Sequence, residues 1–119
     1  MRPSEFFDTV LDDQINSARG VLADADRFEF KERLKASLEA ELALYSNLKQ
    51  LIATGVPPPA TPPVDSQLIA SLVDMLDRWT DRVLTEADDL PEESVRSEFR
   101  DTLTTADVLR AYLRSYPVQ

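Results

Sequence analysis

The chain has no cysteine, no histidine and only two glycines among its 119 residues. Without cysteine, disulfides, thiolate zinc sites and cysteine nucleophiles are excluded. Without histidine the commonest general base is missing, and with it the Ser-His-Asp triad and carboxylate-histidine di-iron sites. Any catalysis would have to rest on carboxylates, Lys, Arg or Tyr. So few glycines supply few tight turns, which argues against a sheet protein built from hairpins. No stretch approaches the roughly 18 apolar residues of a membrane span, and the start, MRPSEFFDTVLDDQ, turns acidic before any apolar run of signal-peptide length. A cytoplasmic protein without membrane contact is the expectation.

Positive charge is also scarce. Thirteen Lys and Arg face 22 Asp and Glu, a formal net charge of −9. Such a surface repels nucleic-acid phosphates, which are normally gripped by clusters of Lys and Arg, so no direct nucleic-acid binding is expected. What is present in ordinary amount is apolar side chain: at 43% of residues it suffices for one core, and residues 1–119 read as a single helical domain.

Periodicity supplies the elements. Phe7, Leu11, Ile15, Ala18 and Leu22 recur at steps of four and three after Pro3 and Ser4, which predicts a helix over 4–23 capped by Ser4, with Gly20 a weak point inside it. Asp26 with Glu29 resembles a capping box. Phe30, Leu34, Leu38, Leu42, Tyr45, Leu48 and Ile52 follow it up to Gly55, a helix over 26–54. At 1.5 Å per residue this helix extends roughly 40 Å, longer than its partners, so one end is free to find cover elsewhere. Leu44 and Leu51 lie off its main stripe, and a second neighbouring helix in the same bundle is the simplest account of them.

VPPPATPPV, residues 56–64, cannot continue a helix, because each proline removes a donor and clashes with the preceding turn. It reads as an extended connector, with the aromatic groove of a partner protein as the other use of such a segment. Asp65 or Ser66 then caps a helix over 65–88, whose Ile69, Leu72, Leu76, Trp79 and Val83 form a heptad-like seam. Pro91 opens a last helix over 91–116, with Val95, Phe99, Leu103, Ala106, Leu109, Leu113 and Tyr116 inward. Four apolar stripes with a proline-rich crossover between the second and third predict an all-α four-helix bundle of two antiparallel hairpins. The alternative is a three-helix bundle with a separate or exchanged N-terminal helix.

The acids offer one catalytic reading. Asp74 and Asp77 form D-x-x-D, and Glu98 and Asp101 form E-x-x-D. This spacing resembles the paired carboxylates of the all-alpha nucleotide pyrophosphohydrolases of the MazG type. The resemblance covers those four positions, with Asp in the first pair where the family has Glu. It implies carboxylates that hold Mg²⁺ against substrate phosphates, the ion activating a water. Helical geometry argues otherwise: at about 100° per residue, Asp77, Asp81 and Asp74 lie roughly 100° to 160° from the buried centre at Leu76. Carboxylates turned outward make a solvated face, and neither a metal nor another cofactor is expected. Arg96, Arg100, Arg110 and Arg114 on the last helix are placed to meet the acidic row of the third.

RFEFKERLK, residues 27–35, is the only locally basic stretch; with Phe30 in the core stripe and Glu29 and Glu32 diluting the charge, it reads as a solvated helical face. Trp79 and Tyr45 fall on seam positions and are expected in the core. The leading functional expectation is a non-enzymatic protein-interaction module, a small acidic regulatory, accessory or inhibitory protein that binds another protein. The candidate surface is Asp74, Asp77, Asp81, Asp88, Asp89, Glu92 and Glu93, suited to a basic partner. A nucleic-acid-mimicking inhibitor of a DNA- or RNA-binding protein is the alternative within that class, and homodimerisation through the overlength second helix is a further option.

Overall fold

The computed structural model describes residues 3–87 and 93–119. It is all-helical: α1 (Pro3–Ala23), α2 (Lys31–Thr54), α3 (Ser66–Ala87) and α4 (Glu93–Ser115), with a short 3-10 turn at Ala25–Arg27. No strand occurs among the described residues; Val64 and Val118 form an isolated parallel bridge. The long dimension is 56 Å against 25 and 22 Å across. α1 packs chiefly on α2 and α3 on α4, while α4 also touches α1 and α2.

α1 begins at Pro3, which suits a first helical turn, one residue before the expected start; the side chain of Ser4, the expected cap, lies outside the described set. Gly20 sits in the helix with open space where a Cβ would be. Its flexibility therefore costs helix stability without any close contact to require it. Gly20→Ala is expected to raise the unfolding free energy by up to about 1 kcal/mol, read from urea melts followed by circular dichroism.

The second helix departs from expectation at its start. It begins at Lys31 and not at 26, because residues 24–30 leave the helical path. Ala25, fully buried, anchors the 3-10 turn, which is closed by Arg27 N–H to Asp24 O and Phe28 N–H to Ala25 O, each 3.1 Å. Asp26 makes no capping box; its Oδ1 accepts from Lys35 Nζ at 2.8 Å. Phe28 is extended, and Phe30 occupies the N-cap position of α2 without a side-chain cap bond. The far end is conventional: Gly55 has φ 71°, and its N–H closes on Leu51 O at 2.8 Å. A side chain at a left-handed C-cap is strained, so Gly55→Ala is expected to lose about 1 kcal/mol in the same melts, opposite in sign to the Gly20 change.

The connector is tied down by its carbonyls. Tyr112 Oη donates to Pro58 O at 3.1 Å, and Asn47 Nδ2 reaches Pro59 O and Tyr116 Oη, both at 3.3 Å. Pro58 and Val64 are buried. Val64 N–H donates to Pro117 O at 3.1 Å and Gln119 N–H to Val64 O at 2.9 Å. Asp65 then caps α3, its Oδ1 accepting from Gln67 N–H at 2.8 Å. A proline segment with its carbonyls engaged in this way is poorly placed to serve a partner's aromatic groove, which also reads them.

One cluster of buried side chains runs through all four helices, with Phe7 and Leu11 from α1, Leu44 and Tyr45 from α2, Leu76 from α3 and Leu113 from α4 among its members. Leu44 and Leu51, off the main stripe of α2, are both buried, because α2 meets α4 as well as α1. Trp79 is half-buried, its ring 4.7 Å from that of Phe7. Tyr45 is buried and donates its hydroxyl to Glu41; burial first, and the neighbouring carboxylate second, push its ionisation above the ordinary tyrosine range. Val83, Val95 and Phe99 have side chains outside the described set.

Candidate interaction surface

The acidic row of α3 is exposed, and much of it is already engaged. Asp74 pairs with Arg78 one turn on, at 3.0 Å. Asp77 Oδ1 accepts from Arg110 Nε at 2.8 Å, while Arg110 Nη1 reaches Asp107 Oδ1 at 2.7 Å and Nη2 reaches Thr80 Oγ1 at 3.4 Å. With only 14% of its side chain exposed, Arg110 lies along the α3–α4 seam and ties the two helices together. The expected meeting of Arg and Asp rows thus comes down to one described pair, since Arg100 and Arg114 are exposed and join no described salt bridge, and the side chain of Arg96 lies outside the described residues. Asp81 is exposed. Asp88, Asp89 and Glu92 lie outside the described residues; Glu93 opens α4, and nothing is described of its side chain.

The four carboxylates of the D-x-x-D and E-x-x-D pairs are not shown together. Asp74 is held by Arg78, Asp77 by Arg110, Asp101 is exposed, and the side chain of Glu98 is outside the described set. Among the described residues no group of three or more His, Cys, Asp or Glu side chains could hold a metal ion.

Two open recesses flank α2. One, of about 340 Å³, is apolar and bounded by Leu51, Pro57, Val108 and Tyr112. The other, of about 270 Å³, contains Glu41, Asp65 and Gln67. Its polar groups already have structural work: Glu41 accepts from Tyr45, and Asp65 caps α3.

The turn between α1 and α2 is different. Phe30, expected in the core, is 67% exposed, and Phe28 is 53% exposed, with Val21 of α1 also exposed nearby in sequence. The cause is the turn itself: with Ala25 buried and Asp26 held by Lys35, the chain leaves the helical path at Phe28, which is extended, and rejoins it only at Phe30, the N-cap residue of α2. The same bond lowers the Asp26 carboxyl below its ordinary range and raises the Lys35 ammonium above its own. Next to the rings in the chain come Arg27, Lys31 and Arg33, all exposed, interleaved with Asp24, Glu29 and Glu32. A signal for this was present in the sequence. Positions 28 and 30 differ by about 200° on a helix, so one helix face cannot hide both rings.

This stretch offers aromatic area and guanidinium groups, types enriched at protein interfaces, with carboxylates between them. No family model matches the chain, and no curated protein or solved structure resembles it at a significant level.

Proposed function

We propose that this chain is a non-enzymatic protein-interaction module of the cytoplasm, which engages another protein through the α1–α2 turn. The carrying observation is the exposure of Phe28 and Phe30, large aromatic side chains left in water beside unburied guanidinium groups. Aromatic residues and Arg are the types enriched where interfaces hold most of their binding energy. The acidic row of α3 is the weaker surface, because Asp74 and Asp77 are already charge-compensated. That compensation also counts against nucleic-acid mimicry.

The proposed scaffold is a four-helix bundle of two antiparallel hairpins, α1–α2 and α3–α4, staggered along the long axis. Supporting this are the Asp12–Lys49 tie across the first pair, the Asp77–Arg110 tie across the second, and the 56 Å length. Ala18, Ala25 and Leu38 are buried, yet they stand apart from the cluster shared by all four helices. The α1–α2 hairpin thereby carries its turn beyond the common core, and a two-helix arm leaves a face uncovered.

Photo-crosslinking tests the reading. The variant Phe30→p-benzoylphenylalanine is expected to form protein adducts in the native host, while the same residue placed at Asp81 is not. Adducts at position 81 alone would move the contact surface to α3, and adducts at neither position would remove the proposal.

A further inference from the structure

We propose that the occupant of this turn is a second copy of the same chain, docked turn against turn about a twofold axis. The inference rests on reading the turn as the contact surface and names its partner.

Charge distribution carries the argument. Residues 19–35 hold five cations (Arg19, Arg27, Lys31, Arg33, Lys35) and four anions (Asp24, Asp26, Glu29, Glu32), a balance of +1 that leaves −10 on the rest of a chain totalling −9. Two copies approaching through residues 1–18 or 65–93, which carry −3 and −7, meet like charge; residues 94–119 also balance at +1, but Arg110 there is spent on Asp77 and Asp107 of its own chain. At the turn they meet near neutrality, with both signs interleaved. A twofold contact places a patch against itself, so it favours a surface that carries both members of each complementary pair. Here Arg27, Lys31 and Arg33 of one copy can oppose Asp24, Glu29 and Glu32 of the other. A strongly basic partner would be drawn instead to the acidic remainder, and a strongly acidic one finds only a single net positive charge. Among the described residues the Lys35–Asp26 bond is the one salt bridge within this segment, so the other charges there are not committed to one another.

Apolar area coincides with this window. Three of the six exposed large hydrophobic residues of the described chain, Val21, Phe28 and Phe30, fall within it. Together they expose on the order of 300 Å², well short of the ~800 Å² that each partner contributes to a stable complex. The flanks of the two arms must supply the remainder. Association is therefore weak, with half-dimerisation in the range of about 10 to 500 μM.

Sedimentation of the full chain from about 10 μM to about 1 mM tests this. The mean mass is expected to rise from 13.4 kDa toward twice that value. A Phe28→Ser/Phe30→Ser chain is expected to stay at the monomer mass with helicity and melting temperature no lower than before, since both rings lie outside the core and Ser at the N-cap position of α2 adds a cap. The decisive arm is a charge exchange. An Arg27→Glu/Lys31→Glu/Arg33→Glu chain and an Asp24→Lys/Glu29→Lys/Glu32→Lys chain should each remain monomeric alone. Mixed in equal amounts they should associate to within about tenfold of the unaltered chain. A monomer up to about 1 mM, a serine variant that associates unchanged, or a folded pair that ignores each other when mixed would each overturn the second copy as occupant. Monomeric behaviour combined with Phe30 adducts to a different protein would remove the self-pairing and leave the contact surface standing. Monomeric behaviour with no adducts would remove both.

Discussion

Leu44→Ala is expected to destabilise the chain by about 3 kcal/mol, within the roughly 2 to 5 kcal/mol observed when a buried leucine is truncated. Leu44 has no exposed surface and belongs to the cluster that links all four helices, so the vacated volume is bounded on every side by packed neighbours. Dense packing limits how far those neighbours can relax into it. Leu42, two residues earlier on the same helix, is only half-buried, and Leu42→Ala should cost about 1 kcal/mol. Urea midpoints of the two variants at equal slope provide the check. Equal losses, or a larger one at Leu42, would mean that α2 presents a different face to α4 than the one described.

Tyr112→Phe carries the next largest expectation, a loss of about 1 to 3 kcal/mol for the removal of one oxygen. The Tyr112 hydroxyl donates to Pro58 O in a buried hydrogen bond, and Pro58 itself is buried. Deleting the donor strands a carbonyl that water cannot easily reach, and a buried acceptor left unsatisfied is costly. Burial, the largest influence, raises the ionisation of Tyr112 above the usual tyrosine range, so the donor keeps its proton at neutral pH. Tyr116→Phe serves as the control. That hydroxyl accepts from Asn47 in a partly buried bond whose donor also faces Pro59 O, so its loss should stay below about 1 kcal/mol. If the two phenylalanine variants melt alike, the connector is not held by Tyr112.

The sequence carries most of this fold, and the reason can be seen residue by residue. Leu72 and Leu76 in α3, Ala106, Leu109 and Leu113 in α4, and Tyr116 just past its end, are buried where helical spacing places them, because a helix that packs on one side repeats its apolar residues every three or four positions. Leu44 and Leu51 declared a second neighbour by falling off the first stripe. Asp65 capped α3 because a carboxylate at that position meets free backbone N–H groups whatever the rest of the chain does. Tyr112 was not legible. It sits beside Leu113, and its importance comes from a carbonyl 54 positions away in the chain.

The candidate site was half visible for a related reason. Phe30 lies four residues before Leu34, so spacing alone continues the stripe backward through it. What breaks the stripe is the bond between Asp26 and Lys35, nine residues apart, together with the burial of Ala25. A capping motif and an ion-paired turn use the same residue types, and local pattern does not separate them. Asp74, Asp77 and Asp81 are exposed where helical spacing places them, but the pairing of Asp77 with Arg110 on the seam could not be read from spacing, because it depends on how α3 and α4 meet.

Trp79 gives the molecule a built-in optical reporter with a defined blind spot. The chain has one tryptophan, and its indole rests on Phe7, sixteen residues and so roughly 24 Å of helical rise from Ala23, the end of α1 that leads into the turn bearing the exposed rings. Its emission will therefore register melting of the interior and remain silent when two turns meet, which allows a single cuvette to tell a variant that has come apart from one that has merely lost its companion.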